Sequence, residues 1–186
     1  MNWVGRLVKK EVCCDDTVLY LGCGLMQDIG SELSPEDGWL TCKHIIGVDI
    51  FRQYLEHIKH LNNVSVINLD INNLSMFLDR SFDVVIALDV VEHFEEKDAY
   101  KLISEMERIA RKKVIILTPC KFDKNVEATE GKTETGLYRN FGPNIYLLHR
   151  CLIKFEWLMN NGYNVREVNA EKDNPNYYSF AVKVIK

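Results

Sequence analysis

The stretch Val18-Leu19-Tyr20-Leu21-Gly22-Cys23-Gly24-Leu25 constrains the fold more than any other. Its apolar residues run without a break into Gly-x-Gly, as in a strand buried on both faces that ends in a tight turn. Glycine reaches positive φ and, lacking a Cβ, leaves the main chain open to a ligand. A helix following such a turn would add free N–H groups and a dipole favourable to an anion. A dinucleotide fingerprint needs a third glycine at position 27, where Gln27 stands. The turn alone therefore does not decide the ligand.

Three later apolar runs each close on an acid. Ile45-Ile46-Gly47-Val48 ends at Asp49, Val64-Ser65-Val66-Ile67-Asn68-Leu69 at Asp70, and Phe82-Asp83-Val84-Val85-Ile86-Ala87-Leu88 at Asp89, which leads into Val90-Val91-Glu92-His93. Near-continuous apolar strands of this kind predict a parallel sheet with helices on either side. The ordered set resembles the class I S-adenosylmethionine-dependent methyltransferases. That family carries Leu-Gly-x-Gly after its first strand, acids after the second and third, and often Glu-His just past the fourth. The resemblance covers residues 17–120 well and the remainder more loosely. It implies an α/β, doubly wound, mostly parallel seven-stranded sheet with the last strand antiparallel, and S-adenosylmethionine as the cofactor.

The rest of the chain fits that plan. Apolar spacing predicts helices over 2–13, 26–33, 51–61, 96–111 and 150–161, with Tyr54, Leu55 and Ile58 of the third facing inward. Residues 34–38 and 174–176 read as turns. Arg111, Lys112 and Lys113 are expected to close the 96–111 helix, where cations complement its dipole. Val114-Ile115-Ile116-Leu117 is a fifth strand, and 164–170 and 177–185 are two more, with Tyr178, Phe180, Val182 and Val184 on one face. Periodicity disappears between 120 and about 148, a long loop of the functional kind, read as a lid or acceptor loop.

Length and charge narrow the class. One domain is expected over the 186 residues. No apolar run approaches the roughly 20 residues of a membrane span, and Met1-Asn2-Trp3-Val4-Gly5-Arg6 lacks a secretory leader's apolar centre, so a cytoplasmic protein with no membrane partner is expected. A net charge of −4 argues against broad nucleic-acid binding. The six cysteines are scattered without a Cys-x-x-Cys pair, which predicts free thiols and no metal centre.

For the site, the resemblance implies that Gly22, Cys23 and Gly24 pass under the donor's methionine tail. Asp49 and Ile50 fall to the ribose, whose two hydroxyls a carboxylate can accept. Asp70 and Ile71 fall to the adenine, and Asp89 to the ammonium group or the acceptor mouth. Asn144-Ile145-Tyr146-Leu147-Leu148-His149-Arg150-Cys151 is similar to a His-Arg-Ser segment of some small-molecule and sugar methyltransferases, with Cys151 in place of serine. It makes His149 the leading base or acceptor-binding candidate, with His93 the second catalytic candidate. Tyr138, Arg139, Asn144 and Tyr146 would line the acceptor pocket. Structural alternatives stand beside these: a strand-end Asp is a common N-cap, His149 opening a helix is a cap, and His93 can orient a loop.

Two departures bear on turnover. Tyr20 stands where the family has an acid that helps hold the ammonium, with Asp28 a candidate substitute, and Met26 stands where a glycine is often found. The expected function is methyl transfer to a small-molecule or sugar-type acceptor by in-line displacement. A catalytically weakened binding or regulatory domain, and an RNA or protein methyltransferase, are the alternatives. A nicotinamide oxidoreductase is disfavoured by Gln27.

Overall fold

The computed structural model describes residues 3–26, 41–124, 126, 143–169 and 177–186. Seven strands are β1 (Thr17–Leu21), β2 (His44–Asp49), β3 (Val64–Asn68), β4 (Phe82–Leu88), β5 (Ala110–Pro119), β6 (Asn164–Asn169) and β7 (Tyr177–Val184). They form one sheet in the order β3-β2-β1-β4-β5-β7-β6. The first five are parallel, and β7 runs antiparallel to both β5 and β6. The expected fold class is the observed one.

Alternation along the strands sends side chains to two cores, one on each face. Leu19 and Leu21 of β1 pack with Val85, Ala87, Val114 and Ile116 on one face. Helix α3 (Glu96–Ile109) covers that face through Ala99, Leu102, Ile103 and Met106, with help from Leu158 of α4 (Phe155–Asn160). Val18 and Tyr20 point the other way, with Val84, Ile86, Ile115 and Leu117. There α1 (Trp3–Lys9) supplies Val4 and Val8, and α2 (Arg52–Ile58) supplies Leu55 and Ile58. Burial on both faces is why these strands read as unbroken apolar runs.

The basic cluster is a correction to the sequence reading. Helix α3 stops at Ile109, and Arg111, Lys112 and Lys113 belong to β5, which starts at Ala110 rather than 114. They serve as partners for acids at the amino ends of neighbouring strands, not as dipole complements. Lys112 Nζ lies 2.7 Å from Asp16 Oδ1 and 3.2 Å from Asp83 Oδ1, and Arg111 Nη1 lies 3.2 Å from Asp83 Oδ1. Lys113 donates to Glu11. Asp83 is buried, and its Oδ2 accepts from both the backbone N–H and the hydroxyl of Thr17, at 3.0 and 2.9 Å.

Burial pushes the Asp83 carboxyl up, but hydrogen bonds from Thr17 and Lys112 outweigh it and leave it below the usual aspartate range. A depressed carboxyl contributes stability that is complete above the unfolded value of about 3.9 and is lost as pH falls through the folded value. Asp83→Asn is therefore expected to lose about 1–2 kcal/mol at neutral pH. Denaturant melts of the two proteins should converge on acidification, and a gap that persisted at low pH would contradict the ionic origin.

The remaining differences are at ends. The leading helix is shorter than 2–13, and the segment expected as a helix over 150–161 is helical only from Phe155 to Asn160. Leu148 is in extended conformation, and the helix N-cap is Lys154, so His149 does not open a helix. Gly162, at φ +85°, follows the Asn161 C-cap, with its N–H on the Met159 carbonyl. The residues 27–40 and 170–176, with the predicted helix and turns there, lie outside the described residues. No described helix is long and apolar enough to cross a membrane.

Candidate functional site

The sheet order reverses at β1, whose neighbours β2 and β4 lead in opposite directions. In open α/β sheets the crevice beyond the carboxyl ends of strands at such a point is where ligands bind. A cavity of about 720 Å³ lies there, within the range of about 300–1,000 Å³ usual for small-molecule sites.

The turn after β1 forms one wall. Gly22 and Gly24 have φ of +58° and +50°, and Met26 and Asp89 share that left-handed region at +55° and +52°. A Cβ on Gly22 would come within 2.5 Å of Val90 Cγ2, so this position is closed to side chains by both conformation and space. Asp49, at the end of β2, fixes the turn: its Oδ2 accepts from Gly24 N at 2.9 Å and its Oδ1 from Phe51 N at 2.8 Å. The alternative of a helix cap does not apply, since the N-cap of α2 is Phe51 and carries no side-chain cap bond. Burial raises the Asp49 pKa, with the backbone N–H groups opposing it. Asp70 is exposed and holds its own loop, accepting from Asn72 N at 2.9 Å.

The opposite wall comes from the segment after β4 and from residues 143–150. Val91–His93 form a 3-10 turn. The Glu92 carbonyl accepts from Arg150 N at 2.7 Å and Cys151 N at 3.2 Å, which ties the two segments together. Its carboxyl is buried, and Thr118 Oγ1 donates to Oε2 at 3.1 Å. Burial pushes that carboxyl up to about 7, against hydrogen bonds from its own backbone, Thr118 and Asp89. His93 lies with Nε2 3.0 Å from the Asp89 carbonyl and Nδ1 3.3 Å from the Leu148 carbonyl. Burial and the neighbouring His149 hold its pKa down at about 4. The two imidazoles are 5.1 Å apart between centroids and tilted by 48°. Burial also lowers His149, opposed by its contact with Asp123.

Asn144 joins the walls. It is buried, its Nδ2 donates to Tyr54 Oη at 3.1 Å, and its Oδ1 accepts from Tyr146 N at 3.0 Å. Tyr146 and Ile145, at the mouth, are 49% and 69% exposed.

Every described residue expected at the donor end lines this cavity: Gly22, Cys23, Gly24, Asp49, Ile50, Asp70, Ile71 and Asp89. So do His93, Asn144, Tyr146 and His149 from the acceptor set. Tyr138 and Arg139 lie outside the described residues, as does Asp28. Sequence reasoning missed Tyr54, which the helical pattern assigned to the core; it is buried and also reaches the cavity. Tyr20, Tyr177, Tyr178 and Lys121 also contribute, with Lys121 Nζ 5.9 Å from the centre of the Tyr177 ring. Of these, Tyr20 is marked as standing in the place of the family's ammonium-binding acid, and nothing in the sequence singles out the other three as site residues.

A family profile described as "Methyltransferase domain" matches residues 19–118. No curated protein matches the chain. Among solved structures, the PH0226 protein of Pyrococcus horikoshii OT3 superposes with a TM-score of 0.63 at 22% identity, over 98% of this chain and 88% of that one. The magnesium protoporphyrin IX methyltransferase of Synechocystis PCC 6803 with bound SAH gives 0.57 at 18% identity, over 98% and 80%. The DhpI–SAH complex gives 0.65 at 13% identity, over 98% and 82%.

Proposed function

This chain belongs to the methyltransferase-domain family, as a class I S-adenosylmethionine-dependent methyltransferase, and from that premise we propose that its acceptor is a small molecule. The observation that carries this reading is a shared space: one cavity of about 720 Å³ is lined by both the glycine turn and the His93–His149 pair. Donor and acceptor would share one cleft whose volume is of small-molecule size.

The residues present fit the cofactor. The turn at Gly22 and Gly24 offers bare backbone at the end of β1. Asp49 spends one acceptor site of each oxygen on a backbone N–H and keeps lone pairs for ribose hydroxyls. Asp70 and Ile71 would meet the adenine and Asp89 the ammonium end, and these carboxylates favour a cationic ligand. When bound, the cofactor supplies a methyl group already activated by a sulfonium. What remains for the chain is to align an acceptor and exclude water, effects that take several kcal/mol off the barrier. His93, His149, Asn144 and Tyr146 are the positioning set, with Tyr138 and Arg139 as further members.

The experiment is thermal unfolding with and without S-adenosylmethionine or its demethylated product. At a hundredfold excess over Kd, mass action adds about 2.7 kcal/mol, roughly 5–10 °C for a chain of this size. No shift at millimolar donor would overturn the donor site. Labelled methyl appearing in RNA or protein but not in small-molecule extracts would overturn the acceptor class. A shift without methyl release to any pool would point to the weakened binding domain, which Tyr20 and Met26 motivate.

A further inference from the structure

Glu92, His93 and His149 bring a carboxylate oxygen and two ring nitrogens within 4.8 Å of one another. They come from two segments, the turn after β4 and the strip after Asn144, which the Glu92 carbonyl holds together. Two features of the cluster ask for a positive charge. Glu92 is 1% exposed, and among the described residues no hydrogen-bond donor reaches its Oε1. His93 presents both ring nitrogens to carbonyl oxygens, at 3.0 and 3.3 Å. A neutral imidazole has one N–H, so in either tautomer one nitrogen lone pair is turned on a carbonyl oxygen. A cation beside Glu92 would satisfy Oε1, and a metal taken up by His93 would replace the longer of its two contacts, that of Nδ1 with the Leu148 carbonyl at 3.3 Å.

We propose that Glu92, His93 and His149 form a binding site for a divalent transition metal of the zinc class. One carboxylate with two imidazoles is the donor set of catalytic zinc sites that leave a fourth position open, and imidazole selects against magnesium and calcium. Bonds of about 2.0–2.2 Å place ligand atoms roughly 3–4 Å apart, so a pair as far apart as 4.8 Å closes by roughly 1–2 Å on loading. His149, half-buried on the strip before α4, is the ligand able to make that movement. Because His93 and His149 line the cavity, the open position turns toward it. On the reading that the acceptor sits there, which this part of the inference rests on, an acceptor oxygen becomes the fourth ligand.

The test uses cobalt(II) on the full, chelator-treated chain, since the free thiols would compete for zinc and a cobalt–thiolate bond shows itself by an intense near-ultraviolet band. The expected result is one equivalent bound, with visible d–d bands, no thiolate band, and displacement by zinc. His149→Ala and Glu92→Gln should each weaken binding by more than about tenfold. Should the buried Glu92→Gln fail to fold, His149→Ala carries the test alone. No uptake at millimolar cobalt, a thiolate band, or an unchanged affinity in His149→Ala would overturn the site. The thermal shift of the metal-free protein with donor is read separately. A metal site that fails while the donor shift survives leaves the methyltransferase reading standing, and loss of the donor shift is that reading's own failure.

Discussion

Asp49→Ala is expected to reduce affinity for S-adenosylmethionine by at least about a hundredfold, close to 2.7 kcal/mol. The residue has two tasks, and alanine ends both. It anchors Gly24 N and Phe51 N through separate oxygens, so the turn and the start of α2 lose their common fixture. It also removes the acceptors assigned to the ribose. Hydrogen bonds to a charged group contribute about 1.5–3 kcal/mol each, which makes the hundredfold figure a floor. Asp49→Asn separates the tasks poorly, because its amide presents N–H groups where the backbone donors sit. Calorimetric titration with donor, alongside circular dichroism to show that the variant folds, gives the answer. Affinity within tenfold of the parent would remove Asp49 from the site.

Gly22→Ala is expected to cost about 2–5 kcal/mol of folding stability and to lower the melting temperature by roughly 5–15 °C. Left-handed backbone at φ +58° accounts for part of it. The rest is the overlap of a new Cβ with Val90 Cγ2 at 2.5 Å. Trimming the obstacle tells them apart: Val90→Ala in the same chain should return the steric share and leave the conformational one. A double-mutant cycle on the melts would then show a favourable coupling between 22 and 90. Simple additivity would mean that Val90 moves aside at little cost, and that backbone strain alone closes the position.

What could be read from the sequence was what local chemistry decides. The run from Val18 into Gly22 and Gly24, and the acids at 49 and 89, identify themselves because strands buried on both faces carry little polar sequence before their ends. Asp70, after the partly exposed edge strand β3, is marked by the family resemblance instead. Lys112 shows where such reading stops. Basic residues after a clean amphipathic helix have a sound local explanation, yet the decisive partner, Asp16, lies 96 positions away. Tyr54 fails for a related reason: helical spacing tells which side of α2 faces in, but not that this side ends at the cavity, where Asn144 meets it from 90 positions away. His149 was visible as a motif and misplaced as a helix opener. Its approach to His93 depends on the Glu92 carbonyl catching Arg150 N and Cys151 N, a backbone contact that leaves no mark on residue identity.

The placement of β7 between β5 and β6 governs how such a chain can be made. On a ribosome, β5 emerges long before the strand that covers it, so its Val114–Leu117 stretch waits with a bare edge while the turn at Gly22 can already take shape. Tyr177 and Tyr178 arrive with β7, and the cavity gains that part of its wall only once β7 has left the ribosome. A nascent polypeptide halted before then would carry most of a nucleoside pocket beside an adhesive strand, a species that chaperones have reason to hold.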